Sequence, residues 1–263
     1  MTAYPNVKLN LGLNVLRKRA DGFHDLETLF VPYTGISDEL EITLSDSPQT
    51  SIEILGDMVD WDSRSDLTFK AYNLLAADFD LHPVHIRLVK HSPVGAGLGG
   101  GSSDAASALV MLNGMFSLGL GQQALADYAA RLGSDCAFFV YNRPMLGEGR
   151  GEILTPYELD LSRYEIRVEV PAGVSVSTAE AYRGVLASRL ARIAASPVPE
   201  MTLREALAQP VDSWRECLHN DFEDTIFPLH PQIAALKQHF YDEGAVYASM
   251  SGSGSSVFGI FRR

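Results

Sequence analysis

The sequence predicts an α+β protein of two domains, and three observations predict it. Short segments with strictly alternating apolar residues are interspersed with longer stretches at helical spacing. A glycine-rich run sits between one such strand and a helix, with five glycines inside Pro93 to Asp104. The chain has 263 residues, more than the roughly 100–200 of a common single domain. The simplest division is 1–155 and 156–263.

Taken in order, KLNLGLNV (8–15) alternates, with Leu9, Leu11, Leu13 and Val15 on one face and Lys8, Asn10, Gly12 and Asn14 on the other. That spacing predicts a half-buried strand. DELEITL (38–44) and SIEIL (51–55) predict two more, and Ser65 is placed to cap a helix through residues 66–79. HIRLV (85–89) is a strand running into the glycine stretch. After it, ASALVMLNGMF and QQALADYAARL (122–132) are read as helices, the second ended by Gly133 as its C′ residue. The second half opens on the strand EIRVEV (165–170), continues with one helix over 178–195, a turn-rich break at 196–200 and two shorter helical pieces, then the helical stretch PQIAALKQHFYDEG. It closes on AVYASM and VFGIF, an antiparallel hairpin with SGSGSS at its tip.

Composition excludes several classes. With 33 acidic against 21 basic residues the net charge is −12, so a phosphate backbone or anionic membrane is repelled and neither nucleic acid nor membrane is the expected partner. Two cysteines, Cys136 and Cys217, are too few for a disulfide framework. The start MTAYPNVKLN has no signal-peptide pattern, and no apolar run approaches the roughly 18 residues of a membrane span, which predicts a cytoplasmic protein. His82, His85, His91, His219, His230 and His239 show no paired metal-ligand spacing with Cys or carboxylates, so no zinc site is expected.

The glycine run carries the chemistry. Without Cβ atoms its backbone N–H groups can approach a ligand, and the helix behind it offers unpaired amides and about half a positive charge. Phosphate is the natural occupant, with Ser102 and Ser103 beside it for a phosphate or a magnesium ion. Gly95, Gly97 and Gly100 satisfy G-x-G-x-x-G, but the next predicted element is another helix, which demotes a dinucleotide oxidoreductase to an alternative. A Walker loop is excluded because Ser102, not lysine, follows Gly101.

Three stretches in order resemble the GHMP kinases, the superfamily of galactokinase, homoserine kinase, mevalonate kinase and phosphomevalonate kinase: Pro5 to Leu11, Pro93 to Ala106, and Met250 to Ser255. Within it, Arg19-Ala-Asp-Gly-Phe-His-Asp-Leu26, the triple glycine before Ser102 and Gly133-Ser-Asp135 resemble the branch acting on a cytidine-diphosphate-linked methylerythritol. The resemblance implies an N-terminal domain like ribosomal protein S5 domain 2, a ferredoxin-like C-terminal domain and an active site between them. It also implies transfer of the ATP γ-phosphate to the 2-hydroxyl of the methylerythritol unit, giving the 2-phosphate and ADP, in the non-mevalonate route to isoprenoid precursors. Other readings stay open: a GHMP kinase for another small alcohol, such as homoserine or a sugar, or a catalytically idle binding protein on the same scaffold.

Phosphoryl transfer asks a protein for positioning, charge stabilisation and a carboxylate to orient the attacking hydroxyl. The resemblance puts Asp135 in that role, although Ser134, Cys136 and Ala137 depart from the family's Gly-Ala-Asp-Val-Pro. It sets Lys8 beside the aspartate; on residue type alone the two read as a turn residue and a lysine on a wet strand face. ATP is expected on Pro93, Gly95, Gly97, Leu98, Gly99, Gly100, Gly101, Ser102 and Ser103, with Lys90 and Asn113 toward adenine and magnesium on Ser102 or Ser103. The cytidyl substrate is expected at Asn10, His24 and Thr178, with Phe23 (usually tyrosine in the family) and Tyr182 as platforms on the two faces of the base. Around Thr178 the match is looser, since Ala172 intervenes and Ser177 stands where proline is usual. Gly252 and Gly254 are expected to let the third loop close on the substrate.

Overall fold

The computed structural model describes residues 1–56, 61–197 and 199–263. Val198, in the break expected at 196–200, lies outside the described residues. Contacts group the chain into two compact units interleaved in sequence, the first of residues 1–8, 32–94 and 99–143, the second of 9–31, 95–98 and 144–263. The sequence reading puts one boundary after residue 155. Contacts instead assign 9–31, 95–98 and 144–155 with the later residues, because two long strands each continue from one unit into the other.

Those strands are β2 (Asn6–Lys18) and β3 (His24–Ser37), which follow a short β1 (Thr2–Ala3). The first unit continues with β4 (Glu39–Leu44), β5 (Ser51–Leu55), α1 (Leu67–Ala76), β6 (Val84–Val89), α2 (Gly100–Met115), α3 (Gln122–Ala130) and α4 (Cys136–Tyr141). Its sheet has the order β1-β4-β6-β5, antiparallel except for β5 beside β6. Leu40, Ile42, Val84, Ile86 and Leu88 alternate onto the buried face as the sequence pattern requires, and α2 packs on α1, α4 and β4.

The rest of the second unit comprises β7 (Met145–Gly149), β8 (Ile153–Pro156), β9 (Tyr164–Glu169), α5 (Thr178–Tyr182), α6 (Val185–Ala195), α7 (Leu203–Leu207), α8 (Trp214–Cys217), α9 (Glu223–Ile226), α10 (Pro231–Asp242), β10 (Tyr247–Met250) and β11 (Val257–Arg262). One sheet runs β2-β3-β7-β8, and the other is an antiparallel β10-β11-β9. The closing hairpin forms as expected, Met250 opposite Val257. Leu13, Val15, Ile233, Phe240, Met250 and Phe261 share the apolar core of this unit.

Several local expectations are corrected. The polar face of β2 is not wet: Lys8, Asn10 and Asn14 are all buried. Helix α1 is capped by Asp66, whose carboxylate accepts the Thr68 N–H at 2.8 Å, while Ser65 sits in the preceding 3-10 turn. Helix α2 begins at Gly100, inside the glycine stretch, with Gly99 at φ 72 as its cap. Gly133 closes α3 by donating to Ala129 O at 3.3 Å without adopting positive φ. The helix read over 178–195 is two, parted by Gly184 at φ 81. No described helix is long and apolar enough to cross a membrane.

Candidate active site

The start of α2 gathers the first group of candidate residues. The α2 cap carries no side chain, so its first amides are free of a competing polar group. A Cβ at Gly99 would lie 3.2 Å from Lys8 Cε and 3.1 Å from the Phe139 ring, so the lysine stem runs directly beside the helix N-terminus. The Lys8 ammonium stands 3.5 Å from an Asp135 carboxylate oxygen, with side-chain exposures of 4% and 32%. Burial lowers the Lys8 pKa and the charge of Asp135 opposes it. Asp135 is at the cap position of α4 but makes no side-chain cap bond, leaving its carboxylate to Lys8 and to solvent. A buried cation, a half-open carboxylate and a helix N-terminus therefore converge within one unit.

Lys90, Asp38, Ser92 and Asp104 form a second cluster, of which only Lys90 was expected. Asp38 accepts from the N–H groups of His91 (2.6 Å) and Ser92 (2.7 Å), the Ser92 hydroxyl (2.6 Å) and the Lys90 ammonium. Lys90 also donates to Asp104 at 2.6 Å. Burial and the charge of Asp38 push Asp104 up to about 8 against the pull of Lys90; among the described residues its Oδ1 has no hydrogen-bond partner. Burial would raise Asp38 too, but Lys90 and Ser92 outweigh it and hold its pKa below the ordinary value. The Lys90 ammonium is thus consumed inside the protein. Asn113 is committed likewise, donating to Leu120 O at 3.1 Å and accepting from Leu120 N at 3.0 Å. Their backbones are engaged as well: the Lys90 N–H donates to Leu55 O at 2.7 Å, and Asn113 O accepts from the Leu118 N–H at 3.0 Å.

Residues 95–98 bond to the loop between β10 and β11. Ser251 Oγ donates to Gly97 O at 3.1 Å, and Ser256 donates to Ala96 O through its hydroxyl (2.7 Å) and its N–H (3.1 Å). Gly97, Gly252 and Gly254 have φ of 77, 55 and 90 degrees. Asn220, which sequence reasoning missed, holds the loop from below by donating to Met250 O (2.8 Å) and Gly252 O (2.9 Å). Asn10 bonds through its N–H to Ser251 Oγ (3.2 Å) and through its amide to Thr28 Oγ1 (3.1 Å).

The expected base-binding residues are only partly together. The His24 ring stacks on Tyr182 at 4.7 Å and 25°, and Tyr182 meets Phe222 edge-on at 4.8 Å. Burial, then Lys18, lowers the His24 pKa, favouring the neutral ring. Phe23 is 53% exposed under the Arg150 guanidinium, 4.9 Å from its ring centroid. The two aromatic platforms expected to face each other thus have other neighbours, since flat rings and a guanidinium remove one another's faces from water. Thr178 is exposed at the start of α5, where Ser177 caps by accepting Glu180 N at 3.1 Å.

The serines differ as magnesium ligands. Ser103 is buried, 2% exposed. Ser102 is half-buried and hydrogen-bonds the Cys136 thiol, itself pushed up to about 11 by burial. Magnesium takes most ligands from phosphates and water, so one accessible hydroxyl beside the cradle fits an ion that arrives with its nucleotide.

Models of the GHMP kinases N-terminal domain and the GHMP kinases C-terminal region match residues 66–143 and 203–263. A 4-diphosphocytidyl-2-C-methyl-D-erythritol kinase of Bacteroides thetaiotaomicron is 47% identical, covering 99% of this chain and 92% of its own. One from Azobacteroides pseudotrichonymphae is 44% identical, covering 100% and 94%. The chain belongs to this kinase family. A crystal structure of a 4-(cytidine 5'-diphospho)-2C-methyl-D-erythritol kinase aligns with a TM-score of 0.79 and 31% identity over 99% of this chain and 90% of that one. A mevalonate kinase structure, 11% identical with a TM-score of 0.69 over 100% and 91% of the two chains, shares the fold. Family membership makes the chain a phosphotransferase acting on an alcohol, with ATP as co-substrate. It also removes the oxidoreductase alternative, which α3 and α4 following α2 had already left without its second strand.

Proposed function

We propose that the chain transfers the γ-phosphate of ATP to the 2-hydroxyl of 4-diphosphocytidyl-2-C-methyl-D-erythritol, the compound named in its relatives. The observation that carries the mechanism is the 3.5 Å approach of Lys8 to Asp135 beside the N-terminus of α2. In this reading the amides after Gly99 hold the phosphates, and the glycines at 95, 97, 100 and 101, with Pro93 and Leu98, shape the cradle. Asp135 orients the substrate hydroxyl. Its oxygen attacks the γ-phosphorus, the bond to the β,γ-bridging oxygen breaks, the proton passes to the carboxylate and ADP leaves. Lys8 keeps Asp135 ionised and balances charge growing on the transferred group. Magnesium beside Ser102 would neutralise part of the phosphate charge.

Asn10, His24, Phe23, Thr178, Tyr182, Gly252 and Gly254 are the substrate-side residues of this reading, and the stacked His24–Tyr182 pair supports an aromatic site for the base. A neutral imidazole offers one donor and one acceptor, which suits the mixed hydrogen-bonding edge of cytosine. Losing such a contact leaves buried polar groups unpaired at about 1–3 kcal/mol. His24→Ala should therefore lower the preference for the cytidyl over the uridyl compound by roughly ten- to hundredfold, read as the ratio of kcat/KM values. An unchanged ratio rejects the pocket assignment. The function itself is tested by coupled ADP release: rapid turnover is expected with the cytidyl compound and little with homoserine, mevalonate or galactose, and a reversed order would pass the site to another small alcohol.

A further inference from the structure

The glycine run is closed at its base by contacts within the first unit. Gly100 approaches Ser92 so nearly that a Cβ there would come within 3.0 Å of the serine hydroxyl. Below them, Lys90 at the end of β6 reaches Asp104 in the first turns of α2 at 2.6 Å, and its other partner is Asp38 just ahead of β4. Asp38 in turn takes three hydrogen bonds from His91 and Ser92, all between 2.6 and 2.7 Å. The lysine and both carboxylate side chains are at most 6% exposed. One ammonium thus ties the strand that enters the run to the helix that leaves it, and one carboxylate fixes the backbone where the run departs.

We infer that Asp38 and Asp104, acting through Lys90, are positioning residues that set the spacing between the two arms of the glycine run and so govern affinity for the triphosphate of ATP. Neither carboxylate touches the reacting atoms. Their effect is geometric: amides aimed at phosphate oxygens lose strength steeply once donor–acceptor distance or angle drifts. A surface ion pair would be a poor candidate for this work, because its partners exchange with water. A buried lysine held by hydrogen bonds to a carboxyl group on either side has no water to exchange with and is not so free.

The inference rests on the reading that this run binds ATP, and steady-state kinetics with both substrates separates the two. If the unaltered protein shows no saturable dependence on ATP, that reading fails. If it does, Asp104→Ala should raise the ATP KM about tenfold while kcat and the KM for the alcohol substrate change less than about twofold. Asp104→Asn, which keeps an acceptor oxygen for the Lys90 ammonium, should recover most of the ATP KM. A variant that merely loosened the fold would shift both KM values or deplete active protein. Should Asp104→Ala fail to fold, Ser92→Ala, which deletes a single hydroxyl bond to Asp38, is expected to raise the ATP KM two- to fivefold. An unchanged ATP KM in Asp104→Ala, or in Ser92→Ala where that one is needed, overturns the inference, as does a fall in kcat alone.

Discussion

Asp135→Ala is expected to lower kcat by about 10²–10⁴ while the ATP KM stays within a few-fold. The asymmetry follows from the geometry. Asp135 is turned toward Lys8 rather than into a cap bond, so its removal deletes no structural hydrogen bond of α4. Neither does it touch the amides of the α2 N-terminus, which in the proposed reading carry the phosphates. A carboxylate that orients the attacking hydroxyl contributes only as the new bond forms, and its loss appears in kcat. Lys8 supplies an internal check. Burial already lowers its pKa and Asp135 is the group opposing that fall. With the carboxylate gone the fall is unopposed, so the ammonium loses its proton at lower pH, and residual turnover in the variant should decline on the alkaline side before that of the unaltered protein. A kcat within threefold of the parent, or a loss confined to ATP affinity, would reject Asp135 as the base.

This pair was legible in the sequence through motif resemblance, not periodicity. On alternation alone Lys8 falls on the wet face of a strand, yet it is buried, because β2 is covered on both faces. Alternation reports a strand but not whether its polar face meets water; β4 and β6 lie within a residue of the bounds the pattern predicts. Strand β3 escaped for the complementary reason. Leu29, Phe30 and Val31 are buried consecutively, which breaks the two-residue period, and Pro32 reads as a strand breaker. It is tolerated because the pairing with β7 ends at Phe30 opposite Met145. Strand β7 carries Gly147 where a Cβ would run into the Phe30 ring, so a glycine that looks like a turn is there for packing. Helix α4 is buried at all but its last residue, Tyr141, and only six residues long, leaving no amphipathic stripe to detect. The Asp38–Lys90–Asp104 cluster was illegible for a different reason: its members are 14 and 52 residues apart, and ion pairs across that separation have no local signature.

Gly97→Ala should be the most damaging change within the glycine run, reducing both folded yield and turnover to near the limit of detection. Two independent costs add. The residue has φ 77, a conformation that a Cβ penalises by roughly 1–2 kcal/mol. The new methyl group would also come within 3.0 Å of the Ser251 carbonyl oxygen and 3.1 Å from that of Gly254, both backbone atoms with no rotamer to escape into. Relieving that overlap must move residues 95–98 away from the β10–β11 loop and break bonds from Ser251 and Ser256 to Gly97 and Ala96. Overpacking of this kind costs about 1–3 kcal/mol more. Neighbouring glycines provide the comparison. Gly95 has φ 69 but nothing within 4 Å of a Cβ, so Gly95→Ala should show the conformational cost alone. Gly101 has neither positive φ nor any neighbour within 4 Å, and its position in α2 favours alanine by about 1 kcal/mol. Gly101→Ala should therefore melt no lower than the parent and yet bind ATP more weakly, because in the proposed site the open space beside it belongs to phosphate. Melting temperature and ATP KM measured across the three variants separate the cases. Equal melting temperatures for Gly97→Ala and Gly95→Ala would show that the contact with the Ser251 carbonyl does not govern this loop.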